Sequence, residues 1–259
     1  MRNFFRVLLT ASLVCCALGA FAGTATFSFG WYRNAAQMDF QVPVALEDGV
    51  NGFTYADAAA NGADLCVTDA GGTQLPIEIE NWNPSGKSIV WVKVPSFSKD
   101  SVLTFLWGAD AAGLTLLRDN LWGNDARLVM HLADGKDSST YNAAFVRGGD
   151  DATEDGPVGT ANTFGTEARK YNCASMQNGQ VANLGNKFTI SFWLNSANLG
   201  KTASGAAVSE YLFVGMVPSG QFAILHGYKA GYLEFFFSGC IASGTDPRGD
   251  SAIQILGDG

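Results

Sequence analysis

Leu75-Pro76-Ile77-Glu78-Ile79-Glu80 and, shortly after it, Ser88-Ile89-Val90-Trp91-Val92-Lys93-Val94-Pro95 are the stretches that decide the class of this chain. In the first, isoleucine and glutamate alternate with period two, the spacing at which a strand sends successive side chains to opposite faces. Ile77 and Ile79 are therefore expected to face a core, and Glu78 and Glu80 to face solvent. The second run is apolar on both faces, as a central sandwich strand would be, and places Trp91 in the core.

The same signals recur along the chain. Apolar, β-branched and aromatic runs at residues 25–29, 39–45, 74–80, 89–94, 102–107, 187–193, 211–216, 221–225 and 232–237 are separated by clusters of Gly, Asn, Asp and Pro. Helical periodicity is confined to two short Ala-rich stretches, residues 55–60 and 108–117. With 31 glycines and this density of strands, the expected class is all-β: two tandem antiparallel β-sandwich modules of jelly-roll type. Strand character lapses over residues 109–124 and resumes at Arg127-Leu128-Val129-Met130-His131-Leu132. The expected organisation is a first module over residues 23–110, a linker over 111–123 and a second module over 124–259.

The N-terminal residues 1–22 read as a secretory signal peptide. Arg2 and Arg6 supply the positive start, residues 7–19 the apolar core, and Ala20-Phe21-Ala22 the small-residue cleavage site before Gly23. Val14 and Cys15 precede Cys15 and Cys16, which is not a lipoprotein signal. Losing Arg2 and Arg6 takes the formal charge from −8 to −10. So acidic a surface repels phosphate backbones, and no nucleic acid is expected as a partner. No later apolar stretch approaches the roughly 20 residues of a membrane span. The protein is expected to be exported, to the periplasm, the cell surface or the medium. Cys66, Cys173 and Cys240 then allow one disulfide, with Cys173 and Cys240 the better pair, or three buried thiols.

Residues 31–110 resemble a bacterial domain-of-unknown-function family of exported proteins that precedes laminin-G or concanavalin A-like lectin modules. The matching blocks are Phe53-Thr54-Tyr55, Gly62-Ala63-Asp64-Leu65, Asp69, Leu75 to Glu80 with Trp82, Val90 to Pro95, and Leu106-Trp107-Gly108. The match departs at Cys66, where a basic residue is expected, and at Leu106-Trp107, where an aromatic pair is usual. From Asn124 on, Val129-Met130-His131-Leu132, Asp137-Ser138-Ser139 and Phe188-Thr189-Ile190-Ser191-Phe192-Trp193 are similar to the early strands and polar loop of the concanavalin A-like/laminin-G sandwich. That family's later Trp-led strand and Asp-Gly hairpin are not found, so the second module is expected to be truncated, with residues 232–237 exposed as a strand edge. The resemblance implies architecture and a surface role. Such pairs also occur ahead of ExbB/TolQ-type proton-channel subunits.

Catalytic signatures are sparse. A Ser-His-Asp site would have to recruit His131 or His226, the only histidines, and there is no Gly-x-Ser-x-Gly elbow. Histidine and cysteine are too scattered for zinc. Glu78 and Glu80 are paired carboxylates, as glycoside hydrolysis requires, yet they lack a third acid and fit the ordinary pattern of a half-exposed strand. Asn81 to Ser88 and Asn195 to Thr202 end like phosphate loops but carry asparagine at the first glycine, and both read as turns.

Binding signatures are more numerous. Trp82, Trp122, Tyr141 and Tyr171 lie in polar contexts and are the candidate ligand-binding aromatics for a glycan or a protein surface, whereas Trp91 and Trp193 read as core. The acidic run Asp150 to Asp155 reads first as a solvated loop. Calcium is the competing reading, because Asp151 to Gly156 opens like a calcium loop, although Asn162 stands where the distal glutamate belongs. Laminin-G sandwiches bind calcium at a rim, so the resemblance makes Asp137 and Asp151 the candidate ligands, and no other cofactor is expected. The functional expectation is an exported, non-catalytic binding or adhesion protein. The alternatives are a structural spacer or sensor end of a larger envelope complex and, more distantly, a glycoside hydrolase.

Overall fold

In the computed structural model, Lys87–Phe97 is the longest strand of the N-terminal half together with Gln37–Glu47, and the two pair along almost their whole length. The structure describes residues 22–119, 121–131, 136–142, 145–146, 152–156, 158–163, 175–176, 189–193, 210–217, 220–226, 232–238 and 253–254. The expected leader up to residue 21, Asp151, Tyr171, Cys173, Cys240 and the turn at 195–202 lie outside the described residues.

Six strands organise the first hundred residues: β1 (Ala22–Ser28), β2 (Gln37–Glu47), β3 (Cys66–Asp69), β4 (Ile77–Asn81), β5 (Lys87–Phe97) and β6 (Val102–Gly108). They form two antiparallel sheets, ordered β1-β6-β3 and β2-β5-β4. Alternation explains the burial. Val42, Val44 and Leu46 of β2, Ser88, Val90, Val92 and Val94 of β5, and Leu103, Phe105 and Trp107 of β6 are buried, and the residues between them mostly are not. The apolar members belong to one buried cluster that draws on both sheets, joined by Phe53 and Leu65 from the connections. Each such side chain contributes about 1.5–3 kcal/mol by leaving water. The two expected helical stretches shrink to single 3-10 turns at Ala60–Gly62 and Ala109–Ala111.

Open sheet edges are largely blunted. Leu75 N–H donates to the Val67 carbonyl at 2.8 Å along the free side of β3. On the free side of β4, Ile77 N–H donates to the Leu117 carbonyl at 2.9 Å, while the Gln74 amide exchanges hydrogen bonds with the Thr115 backbone. On β2, Pro43 removes a donor from an edge position. The residues expected as a linker thus lie against the first six strands, with Ala111 and Leu121 buried.

Farther along, the expected strand at 127–132 is reduced, among its described residues 127–131, to one bridge, Met130 to Asp137. Residues 152–155, expected as part of a solvated loop, form β8 (Ala152–Asp155), following the short β7 (Phe145–Val146), and pair with β9 (Thr160–Thr163) as a hairpin. Glu154 and Asp155 are nevertheless exposed upon it. β10 (Ser175–Met176) pairs with β7. A second sheet region follows as an antiparallel meander of β11 (Glu210–Val217), β12 (Gly220–His226), β13 (Tyr232–Ser238) and β14 (Ile253–Gln254). β13, expected as a free edge, pairs with β12 from Leu233 to Ser238 and with β14 at Tyr232 and Leu233. Residues 189–193, expected within a strand, pair with none, and Trp193 is 74% exposed rather than buried in a core. The described chain is therefore strand-rich with almost no helix, and none of its helices is long and apolar enough to cross a membrane.

Candidate functional site

The face of sheet β2-β5-β4 turned away from the core carries the main concentration of chemistry among the described residues. Alternation sends Trp91 and Lys93 of β5 and Glu78 of β4 to this face, and Glu78 and Trp91 are direct cross-strand partners. Between Ile79 and Asn81 the register slips: Ile79 opposes Val90 and Asn81 opposes Ile89, leaving Glu80 as the extra residue of a bulge. A bulge re-aims its side chain. Glu80 accordingly accepts the Trp91 indole Nε1–H at 2.6 Å.

This face does not meet solvent as expected. Residues 121–131 and 136–139 lie over it, anchored by the Gln41 amide donating to the Leu121 carbonyl at 3.0 Å. His131 enters between the glutamates, with Nε2 3.2 Å from Glu78 Oε1 and Nδ1 3.2 Å from Glu80 Oε2. The Trp122 Nε1–H and the Ser138 hydroxyl both donate to Glu78. The ring of His131 lies 5.7 Å from those of Trp91 and Trp122, which are 5.1 Å from each other. Only 2% of the Glu80 side chain is exposed, against 25% for Glu78. The turn of the β8–β9 hairpin closes on the same place: a Cβ on Gly159 would stand 1.9 Å from Glu80 Oε1.

The protonation states follow from these contacts. Burial pushes the Glu78 carboxyl up, but hydrogen bonds with His131, Ser138 and Trp122 outweigh it and hold the group below its ordinary value. Burial likewise pushes His131 down, and its hydrogen bonds and charge interactions with Glu78 and Glu80 overcome this and lift it to about 9. At neutral pH His131 is an imidazolium beside the ionised Glu78. A histidine held protonated is a poor general base, and a glutamate held ionised is a poor general acid. The arrangement is suited to holding chain segments together.

The other expected site residues are placed as follows. Trp82 packs against the first core, with its ring edge-on to Phe53 and Tyr55. Trp122 belongs to the cluster around His131. Tyr141 lies under the Arg127 guanidinium, which also donates to its hydroxyl. Asp137 is buried, and its carboxylate accepts the Val129 and Ser139 N–H groups and the Ser139 hydroxyl. Among the described residues no group of three His, Cys, Asp or Glu side chains could hold a metal ion. Asn83 to Gly86 is a β-turn, closed by Gly86 N–H on the Asn83 carbonyl at 3.0 Å. Cys66 is buried and free; burial raises its thiol, more than the nearby Arg118 lowers it, so it is not an activated nucleophile.

Sequence reasoning missed His131 as the centre of this cluster and missed Trp31, which is 67% exposed beside Phe29 and Tyr32. A signal for the first was present: Trp91 interrupts the polar face that Glu78 and Glu80 define, and an indole on a polar face calls for a covering layer. Compared with protein-family models, curated proteins and solved structures, the chain matches none.

Proposed function

We propose that this chain is an exported, non-catalytic binding or adhesion protein built from two tandem antiparallel β-sandwich modules. The observation that carries the non-catalytic reading is the Glu78–His131–Glu80 cluster, whose polar atoms are spent on one another and on Trp91, Trp122 and Ser138, with the side chains of His131 and Glu80 only 10% and 2% exposed. One buried cluster shared by sheets β1-β6-β3 and β2-β5-β4 supports a sandwich for the first module, and the β11–β14 meander supports a second β module. The secretory pattern of residues 1–22 and the resemblance of residues 31–110 to exported proteins support export.

A carbohydrate or a protein surface is the proposed ligand class, and Trp31 is the aromatic best placed to meet it. Its ring is exposed, yet braced edge-on by Phe29 and Tyr32, so little side-chain freedom is lost on stacking. The second reading, a spacer or sensor end of an envelope complex, is favoured by the way residues 111–119, 121–131 and 136–139 are fastened to the first six strands. A glycan array probed with the protein, run beside a reducing-sugar release assay, tests both readings. Binding without sugar release supports the binding reading, no binding supports the spacer, and turnover abolished by Glu78→Gln overturns the non-catalytic conclusion.

A further inference from the structure

We propose that the outer face of sheet β2-β5-β4 is a cation-selective cage for a protonated nitrogen ring, filled from within by His131, and that this internal ligand latches residues 121–131 and 136–139 onto the sheet.

The geometry carries the selectivity. A neutral imidazole has one N–H and one bare nitrogen, and so can donate to only one carboxylate. Both ring nitrogens of His131 lie 3.2 Å from a glutamate oxygen, an arrangement that two donors satisfy and one does not. The rings of Trp91 and Trp122, each 5.7 Å away, add indole faces on which a flat cation is attracted. The carboxylates are themselves fixed, Glu80 by the Trp91 N–H and Glu78 by Trp122 and Ser138, so the cage is pre-organised. Three other charged groups on the packed elements have partners away from the cage: Lys93 with Asp39, Arg127 with Tyr141, and Asp137 with the backbone at Val129 and Ser139. The direct contacts of both ring nitrogens make His131 the cation that the cage holds.

The latch is local by construction. The first core draws its residues from β1 to β6 and their connections and includes none of the described residues 121–131 and 136–139. Emptying the cage should loosen the covering segment and leave the strands in place. Uncovered, the face would present Trp91, Glu78 and Glu80 to an external organic cation of the same size and charge.

The test is chemical rescue on the full chain. In His131→Ala, tryptic cleavage after Arg127 and Lys136 should quicken by about tenfold or more, while cleavage after Lys87 and Lys93 stays at the parent rate. Added imidazole at pH 6 should restore protection; 1,2,4-triazole, of the same shape but neutral at that pH, should not. Glu80→Gln retains the ring and removes one carboxylate, and should loosen the segment without rescue by either compound. Three outcomes overturn the proposal: unchanged protection in His131→Ala, equal rescue by imidazole and triazole, or loss of protection across β4 and β5 together with the segment in both variants.

Discussion

The indole N–H of Trp91 donates to Oε2 of Glu80 at 2.6 Å, tying the central strand of sheet β2-β5-β4 to a carboxylate re-aimed by a bulge. Glu80 in turn holds His131, so a bond between adjacent strands also orders a segment some fifty residues away in sequence. The consequences of this relationship are measurable.

Glu80→Ala should destabilise the protein by about 1–3 kcal/mol in urea unfolding, the cost of leaving the Trp91 N–H and a buried positive charge short of a partner. An ordinary exposed strand glutamate would change stability by less than about 0.5 kcal/mol. A value in that lower range would return Glu80 to solvent.

Stability should vary with pH on both sides of a plateau. His131 is raised from 6.5 to about 9, so its contribution is complete below pH 6.5 and is lost as pH rises through about 9. Glu78 is lowered from 4.5, so its contribution is present above pH 4.5 and is lost as pH falls through its depressed value. The midpoint of urea unfolding, followed from pH 3 to 10, should be highest near pH 5–6. His131→Gln should flatten the alkaline limb, and an unchanged limb would show that another group titrates there.

Two glycine substitutions should separate sharply. A Cβ on Gly23 would fall 1.9–2.3 Å from the indole of Trp107, which is only 1% exposed, whereas a Cβ on Gly30 would meet nothing within 4 Å. Gly23→Ala should therefore cost about 1–3 kcal/mol through overpacking, and Gly30→Ala should cost almost nothing. Thermal unfolding of both variants is sufficient to compare them.

Gly159→Ala probes the hairpin over the cluster. Its backbone sits at φ +61, and the added Cβ would collide with Glu80 Oε1. We expect a loss of about 1 kcal/mol or more from the backbone requirement alone. Faster amide exchange should appear at residues 152–163, ahead of exchange in β5.

Trp31→Ala should leave stability within about 0.5 kcal/mol, as at other surface sites, and weaken retention on whichever glycan or protein surface the parent binds. Unaltered retention would place the ligand site elsewhere.

Much of this molecule is legible in its residues taken alone. Period-two alternation is a property of the extended backbone, so Ile77-Glu78-Ile79-Glu80 and Val90-Trp91-Val92 identified their strands and assigned Ile77 to the core, whereas Trp91, also expected there, lies on the opposite face from the buried Val90 and Val92. Turn residues marked the β4–β5 connection at Asn83 to Gly86, and strand runs marked β11 to β13. The outer face could not be read in this way. Alternation says which residues share a face, and it carries no information about what covers that face. The cover comes from Leu121, Trp122, His131 and Ser138, forty residues or more from β4, in a segment whose own pattern suggested a linker and a new strand. Only their tertiary approach turned two apparently solvated glutamates into covered partners of an imidazolium, because pairing groups across that distance depends on chain topology and not on local periodicity.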